Sequence, residues 1–229
     1  MSHDLRTPLA VITGAATSLR DDTGRLSAEA RAELLCSIVD DAQRLERVLG
    51  NLLQLTRVES GLVPVRQWIP VEELVGAALT RLEEVLGDRA VTIDVPSTLL
   101  VAVDPVLVEQ VLINLIDNAT KHGAPPIEIA AATSDGAVVL TVRDHGGGVP
   151  PDVRPRLFDK LVRASTAPGS GLGLAVVRAI VEAHGGDVGV DTAPGGGAVF
   201  RVALPAHPAD APALPPAGGA PPPIAEIAR

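Results

Sequence analysis

Apolar residues at the start of the chain recur in alternating steps of four and three: Leu5, Leu9, Ile12, Ala16 and Leu19, then Leu35, Ile38, Ala42, Leu45, Leu49 and Leu52. That spacing keeps each series on one stripe of a helix. Residues 4–21 are therefore expected to form one helix and a longer one to follow, with Asp21-Asp22-Thr23-Gly24 as the turn between them. A hairpin of two helices buries too little surface to stand alone, so a homodimer is expected, two copies making a four-helix bundle.

The pattern breaks between Gly61 and Pro70, where Trp68 and Ile69 would pack at a domain junction. Beyond it the chain reads as a helix near 71–86, strands near 90–95 and 99–103, and a helix over 105–122 opened by Asp104-Pro105. Strands near 126–133 and 137–144 follow. A helix after Gly171 stops at His184-Gly185-Gly186, and strands near 187–193 and 198–204 come last. Alternation of this kind predicts an α/β sandwich. The resulting division is 1–62 for the hairpin, 63–70 for a linker, 71–205 for the sandwich and 206–229 for a Pro/Ala-rich tail. That tail has no apolar period with which to recover its ordering entropy, and is read as disordered.

Composition narrows the function. A formal net charge of −9 opposes the phosphate backbone and argues against direct nucleic-acid binding. Aromatic residues make up 1%, so base stacking is not a plausible mode either. The single cysteine, Cys36, reads as a helix packing residue, as expected for a reducing compartment. The absence of a long apolar run or basic leader predicts a segment that neither crosses a membrane nor is secreted.

Four segments carry candidate chemistry. In Ser2-His3-Asp4-Leu5-Arg6-Thr7-Pro8-Leu9, a neutral imidazole at His3 would be a nucleophile toward phosphorus, and Asp4 could accept its proton or hold one tautomer. Thr7, four residues on, shares that helix face and could orient a water. Taken alone, a His-Asp pair on a helix is an ordinary solvated pair. In the helix 105–122, Asn114, Asn118 and Lys121 line one edge, where an amide oxygen of Asn118 could ligate Mg²⁺ and the lysine could meet phosphate. Asp144 ends a strand before Gly146 and Gly148, and could accept from an exocyclic amine with glycine backbone leaving room for a flat ring. Gly169, Gly171 and Gly173 open a helix, whose free N–H groups favour phosphate. This last motif is weak alone. A dinucleotide fingerprint is disfavoured because no strand runs directly into it.

The four segments, in this order, resemble the H-box, N-box and glycine boxes of sensor histidine kinases, over about residues 1–205. Within that family, 9–18 and 67–78 are similar to the Kdp-type potassium sensor kinases. The resemblance implies a dimeric helical hairpin followed by an ATPase domain of the GHKL, or Bergerat, type. It also implies ATP and Mg²⁺ as cofactors, His3 as phosphoacceptor, Asp144 as the adenine reader, and a response-regulator aspartate as the recipient. Regulator phosphatase activity would use Thr7. The segment would be cytoplasmic, reaching the inner membrane only through an N-terminal sensor region that the chain lacks.

The chain departs from the family in places. Leu161 replaces the second aromatic of the F-box, and the lid from Arg163 to Gly169 is short and stiffened by Pro168. His3 stands in the first turn, where a helix frays. Two other readings remain open at this point: a different ATPase of the same fold, which would lack the H-box, and a nucleotide-binding scaffold without turnover.

Overall fold

A computed structural model describes residues 2–160, 162 and 171–206, with backbone only at 2–4 and 59. The expected lid residues 163–169, Leu161 and the tail 207–229 lie outside the described residues. Two antiparallel helices, α1 (Ser2–Arg20) and α2 (Ala28–Glu59), open the fold. Asp22 makes the turn between them. Its Oδ1 accepts from the backbone N–H groups of Gly24, Arg25 and Leu26 at 3.0, 2.8 and 3.1 Å, and Oδ2 takes the Arg31 guanidinium at 2.6 Å. Ser27 then caps α2 by accepting from Ala30 N–H at 3.1 Å.

The two helices face each other through Pro8 and Ala15, which are buried, and the half-buried Leu5, Ile12, Leu19, Ile38, Leu45 and Leu52, while the buried Val48 and Leu55 of α2 join the core of the sandwich, where α2 meets α6. A second stripe stays outside. Leu35 is 54% exposed, Val39 53%, Leu49 43% and Leu53 60%. On α1, Leu9 is likewise outside at 54%.

The segment expected to be a linker is partly sheet. Gln67–Pro70 forms β1, paired antiparallel with β3 (Leu100–Val103), Trp68 opposite Ala102. Trp68 is buried where this small sheet meets the second unit. The helix expected over 71–86 breaks at Leu82 into α3 (Val71–Arg81) and the short α4 (Glu83–Leu86).

A five-stranded sheet follows, in the order β2-β4-β5-β7-β6, from β2 (Val91–Asp94), β4 (Ile127–Ser134), β5 (Ala137–Arg143), β6 (Asp187–Thr192) and β7 (Ala198–Pro205). Only β2 and β4 run parallel. Alternate residues of β5 and β7 are buried, and the register sets Val138, Leu140 and Val142 beside Leu204, Val202 and Phe200. The long helix α5 (Pro105–His122) and α6 (Gly173–Ala183) lie against that apolar face and each other. The α/β sandwich is therefore the fold observed, and its helical layer carries α5 into position. Asp104 caps α5, accepting from Leu107 N–H at 3.2 Å, with Pro105 in the first turn where no N–H is needed. Among the described residues, no helix is long and apolar enough to cross a membrane.

Candidate functional site

One cleft, about 1450 Å³, runs between α2 and the sandwich. The buried stripe of α5, from Val108 through Leu112 to Ala119, fixes the rotation of that helix. Asn114, Asn118 and Lys121 consequently face the cleft together. Asn114 Nδ2 is buried and makes no protein hydrogen bond. A buried amide left without a partner beside a cleft has a ligand oxygen as its natural counterpart. Gly173 stands beside it, where a Cβ would lie 3.4 Å from Asn114 Oδ1, in ordinary contact. Lys121 is less free than its sequence position suggests, because its ammonium is bonded to the carboxylate of Asp117 one turn earlier.

Asp144 closes the other end. It is 4% exposed, and its Oδ1 accepts from Gly146 N–H at 2.8 Å and Ala198 N–H at 3.3 Å. Oδ2 receives no hydrogen bond among the described residues, so an acceptor oxygen is held in a fixed direction. Three glycines make room around it. A Cβ on Gly123 would collide with the Asp144 side chain, one on Gly146 would come within 2.8 Å of Gly123 Cα, and one on Gly197 would collide with the Asp144 carbonyl. Beside this cradle, Glu128 sits below the usual carboxylate range, held there chiefly by its 2.8 Å hydrogen bond with His145. The donors and acceptors present therefore suit a nucleotide: an acceptor for an exocyclic amine at Asp144, and amides with a cation for phosphate and metal along α5.

Gly148, Gly171 and Gly173 also border the cleft. Gly169 lies outside the described residues, as do the side chains of His3 and Asp4, whose backbone is in α1. Thr7 is exposed on the same helix. Among the described residues α1 lines no part of the cleft. The proposed acceptor helix and the nucleotide residues therefore occupy separate surfaces. Three features were missed in the sequence: Asp117 as the partner of Lys121, Gly123 and Gly197 as walls around Asp144, and a 2.6 Å ion pair between Arg81 and Glu109 at the cleft edge. The glycine run 195–197 was the one visible signal among them.

Two family models match the chain. Residues 1–61 match the His Kinase A (phospho-acceptor) domain, and residues 103–208 match the histidine kinase-, DNA gyrase B- and HSP90-like ATPase. The sensor protein KdpD of Escherichia coli is 40% identical over 212 residues, covering 90% of this chain and 24% of the relative. The chain thus spans about a quarter of the length of the KdpD sensor proteins it matches. Among solved structures, histidine kinase AdeS of Acinetobacter baumannii superposes with a TM-score of 0.73 at 27% identity, covering 90% of this chain and 98% of that one. Full-length ShkA, solved in complex with AMPPNP, has a TM-score of 0.65 at 29% identity, covering 89% of this chain and 44% of that one. With a phospho-acceptor hairpin at 1–61 and an ATPase sandwich after it, this chain belongs to the sensor histidine kinase family.

Proposed function

We propose that this chain takes up ATP with Mg²⁺ in the cleft, phosphorylates His3, and passes the phosphoryl group to an aspartate of a response regulator. The observation that carries this reading is a cleft with Asn114, Asn118 and Lys121 along one helix edge and a buried acceptor, Asp144, at its far end. Asp144 Oδ2 accepts from the adenine amine, while Gly123, Gly146 and Gly197 let the ring approach. Asn118 supplies an amide oxygen to the metal. Mg²⁺, when bound, neutralises charge on the phosphate oxygens. Asn114 donates to those oxygens, and Lys121 adds a positive charge shared with Asp117.

In the transfer, a nitrogen of the His3 imidazole forms a bond to the γ-phosphorus as the bond to the β–γ bridging oxygen breaks. ADP leaves with that oxygen, and Asp4 assists the ring proton. The residues contribute position and electrostatics more than covalent chemistry. Because α1 lines no part of the cleft, the residues between Ser60 and Val65, ahead of the points where Val65, Arg66 and β1 are tied to the sandwich, serve as the hinge that brings the two units together. Thr7 is assigned to orient water in regulator dephosphorylation. The exposed stripe of Leu35, Val39, Leu49 and Leu53 supports the homodimer. The parent protein reaches the membrane through a sensor region outside the given residues, with this portion in the cytoplasm.

Incubation with γ-labelled ATP and Mg²⁺ tests the reading. Label that is lost in acid, kept in base and absent from His3→Gln is expected. Nucleotide uptake with no such label would leave a binding scaffold in place of a kinase.

A further inference from the structure

The cleft has a wall that the family's nucleotide motifs do not include. That wall is one face of α2, and it brings Arg44 and Arg47 to the same cavity as Asn114 and Asn118. Of the cations bordering the cleft, Lys121 is joined to Asp117 and Arg81 to Glu109 at 2.6 Å. Arg44 and Arg47 are different: neither makes a hydrogen bond or ion pair among the described residues, although Asp40 stands one helical turn before Arg44. They are thus the unpaired cations of the described cleft lining. A guanidinium presents a fork of donors matched to phosphate oxygens.

Their height along the hairpin matters as much as their charge. The helices are antiparallel and rise equally per residue. His3 lies as far along α1 from Arg20 as Leu45 lies along α2 from Ala28, on either side of the turn. Arg44 and Arg47 therefore flank the axial level of the acceptor histidine. Around α2 they point away from the exposed Leu35–Leu53 stripe by roughly 120–180° at about 100° per residue, and so toward the sandwich. Of the acidic residues of this wall, Glu33, Asp40 and Asp41 lie nearer the turn, where they disfavour phosphate, and Glu46, at the arginines' own level, stands about 160° around the helix from Arg44 and about 100° from Arg47, which leaves the arginine side of that level as the phosphate's place.

We infer that Arg44 and Arg47 form a cross-domain phosphate clamp, gripping the terminal phosphates of the bound nucleotide from the hairpin and holding them at the level of His3. This rests on the reading of the cleft as an ATP site. The clamp makes nucleotide binding and domain closure one event: the polyphosphate is fully neutralised only when α2 is close.

Titration of the chain with Mg²⁺–AMPPNP and with adenosine tests the clamp, for wild type, Arg44→Gln/Arg47→Gln and the α2 control Arg57→Gln. The double variant is expected to bind AMPPNP at least about tenfold more weakly and with a shallower salt dependence. Adenosine affinity and the unfolding midpoint should be unchanged, since neither arginine holds the fold, and Arg44→Lys/Arg47→Lys should recover part of the loss. Unaltered AMPPNP affinity and salt dependence in the double variant would overturn the clamp while leaving the ATP site intact. Wild-type protein that takes up no AMPPNP would overturn the ATP reading and the clamp with it.

Discussion

The imidazole of His184 accepts a 3.0 Å hydrogen bond at Nε2 from the backbone N–H of Asp104, while its Nδ1 lies 2.8 Å from the Ile180 carbonyl. One ring thus joins the end of α6 to the residue that caps α5, and it is fully buried. The neutral tautomer with hydrogen on Nδ1 satisfies both contacts. Arg66, just before β1, donates to the His184 carbonyl at 3.2 Å, so the start of the second unit is held at the same point.

Replacing His184 by Phe keeps a ring of similar size but leaves the Asp104 N–H buried without an acceptor. The expected cost is about 1–3 kcal/mol of stability. Urea denaturation should report it as a lower midpoint with an unchanged slope. A midpoint equal to wild type would mean that this bond contributes nothing.

Gly123→Ala places a methyl group against the Asp144 side chain, which cannot retreat because Gly146 and Ala198 hold its Oδ1. Overpacking of this kind costs about 1–3 kcal/mol. Here the carboxylate proposed to read adenine must shift, so calorimetry should show AMPPNP affinity falling about tenfold or more. Gly76→Ala is the control, since its Cβ would meet nothing within 4 Å and it lies on the exposed side of α3, outside the cleft lining.

The carboxyl of Asp22 is held below its ordinary range, first by the Leu26 N–H and then by Arg31 and Arg25 N–H. A depressed folded value means that its contribution is present above the unfolded pKa and is lost as pH falls through the folded one. The hairpin turn should therefore loosen in acid before the sandwich unfolds. Helical circular dichroism of wild type and Asp22→Asn, followed from neutral to acidic pH, should show a larger decline for wild type because the variant starts without that carboxylate.

Leu49→Glu/Leu53→Glu puts charge on the exposed stripe of α2 and leaves in place Val48 and Leu55, which are buried in the core of the sandwich. Sedimentation should find a dimer for wild type and a monomer for the variant at the same concentration. A variant that stays dimeric would place the interface elsewhere.

The elements that were plain in the sequence are those with local signals. Helix α5 spans the expected residues because Asp104 caps it, Pro105 suits its first turn and Gly123 follows its last. The turn at Asp22 is likewise written in adjacent residues. Strand β1 was read as linker because it is four residues long, ends in proline, and is defined by a partner strand beginning at Leu100. The break at Leu82 has no glycine or proline to announce it. His184 looked like a residue before a glycine cap, since its partner Asp104 is 80 positions away. At the cleft, the edge of Asn114, Asn118 and Lys121 follows from helical spacing. The crowding of Gly123 and Gly197 on Asp144 depends on three distant segments meeting, which no spacing rule reports.

Helix α2 carries its apolar outer stripe and the cleft arginines Arg44 and Arg47 on nearly opposite sides of one continuous rod. An α-helix resists torsion, because every residue is hydrogen-bonded to the next turn. Twisting the rod to re-seat the leucines therefore swings the guanidinium groups through the same angle. In such a shaft, the proposed mating surface between two copies and the proposed grip on the nucleotide share a single degree of freedom.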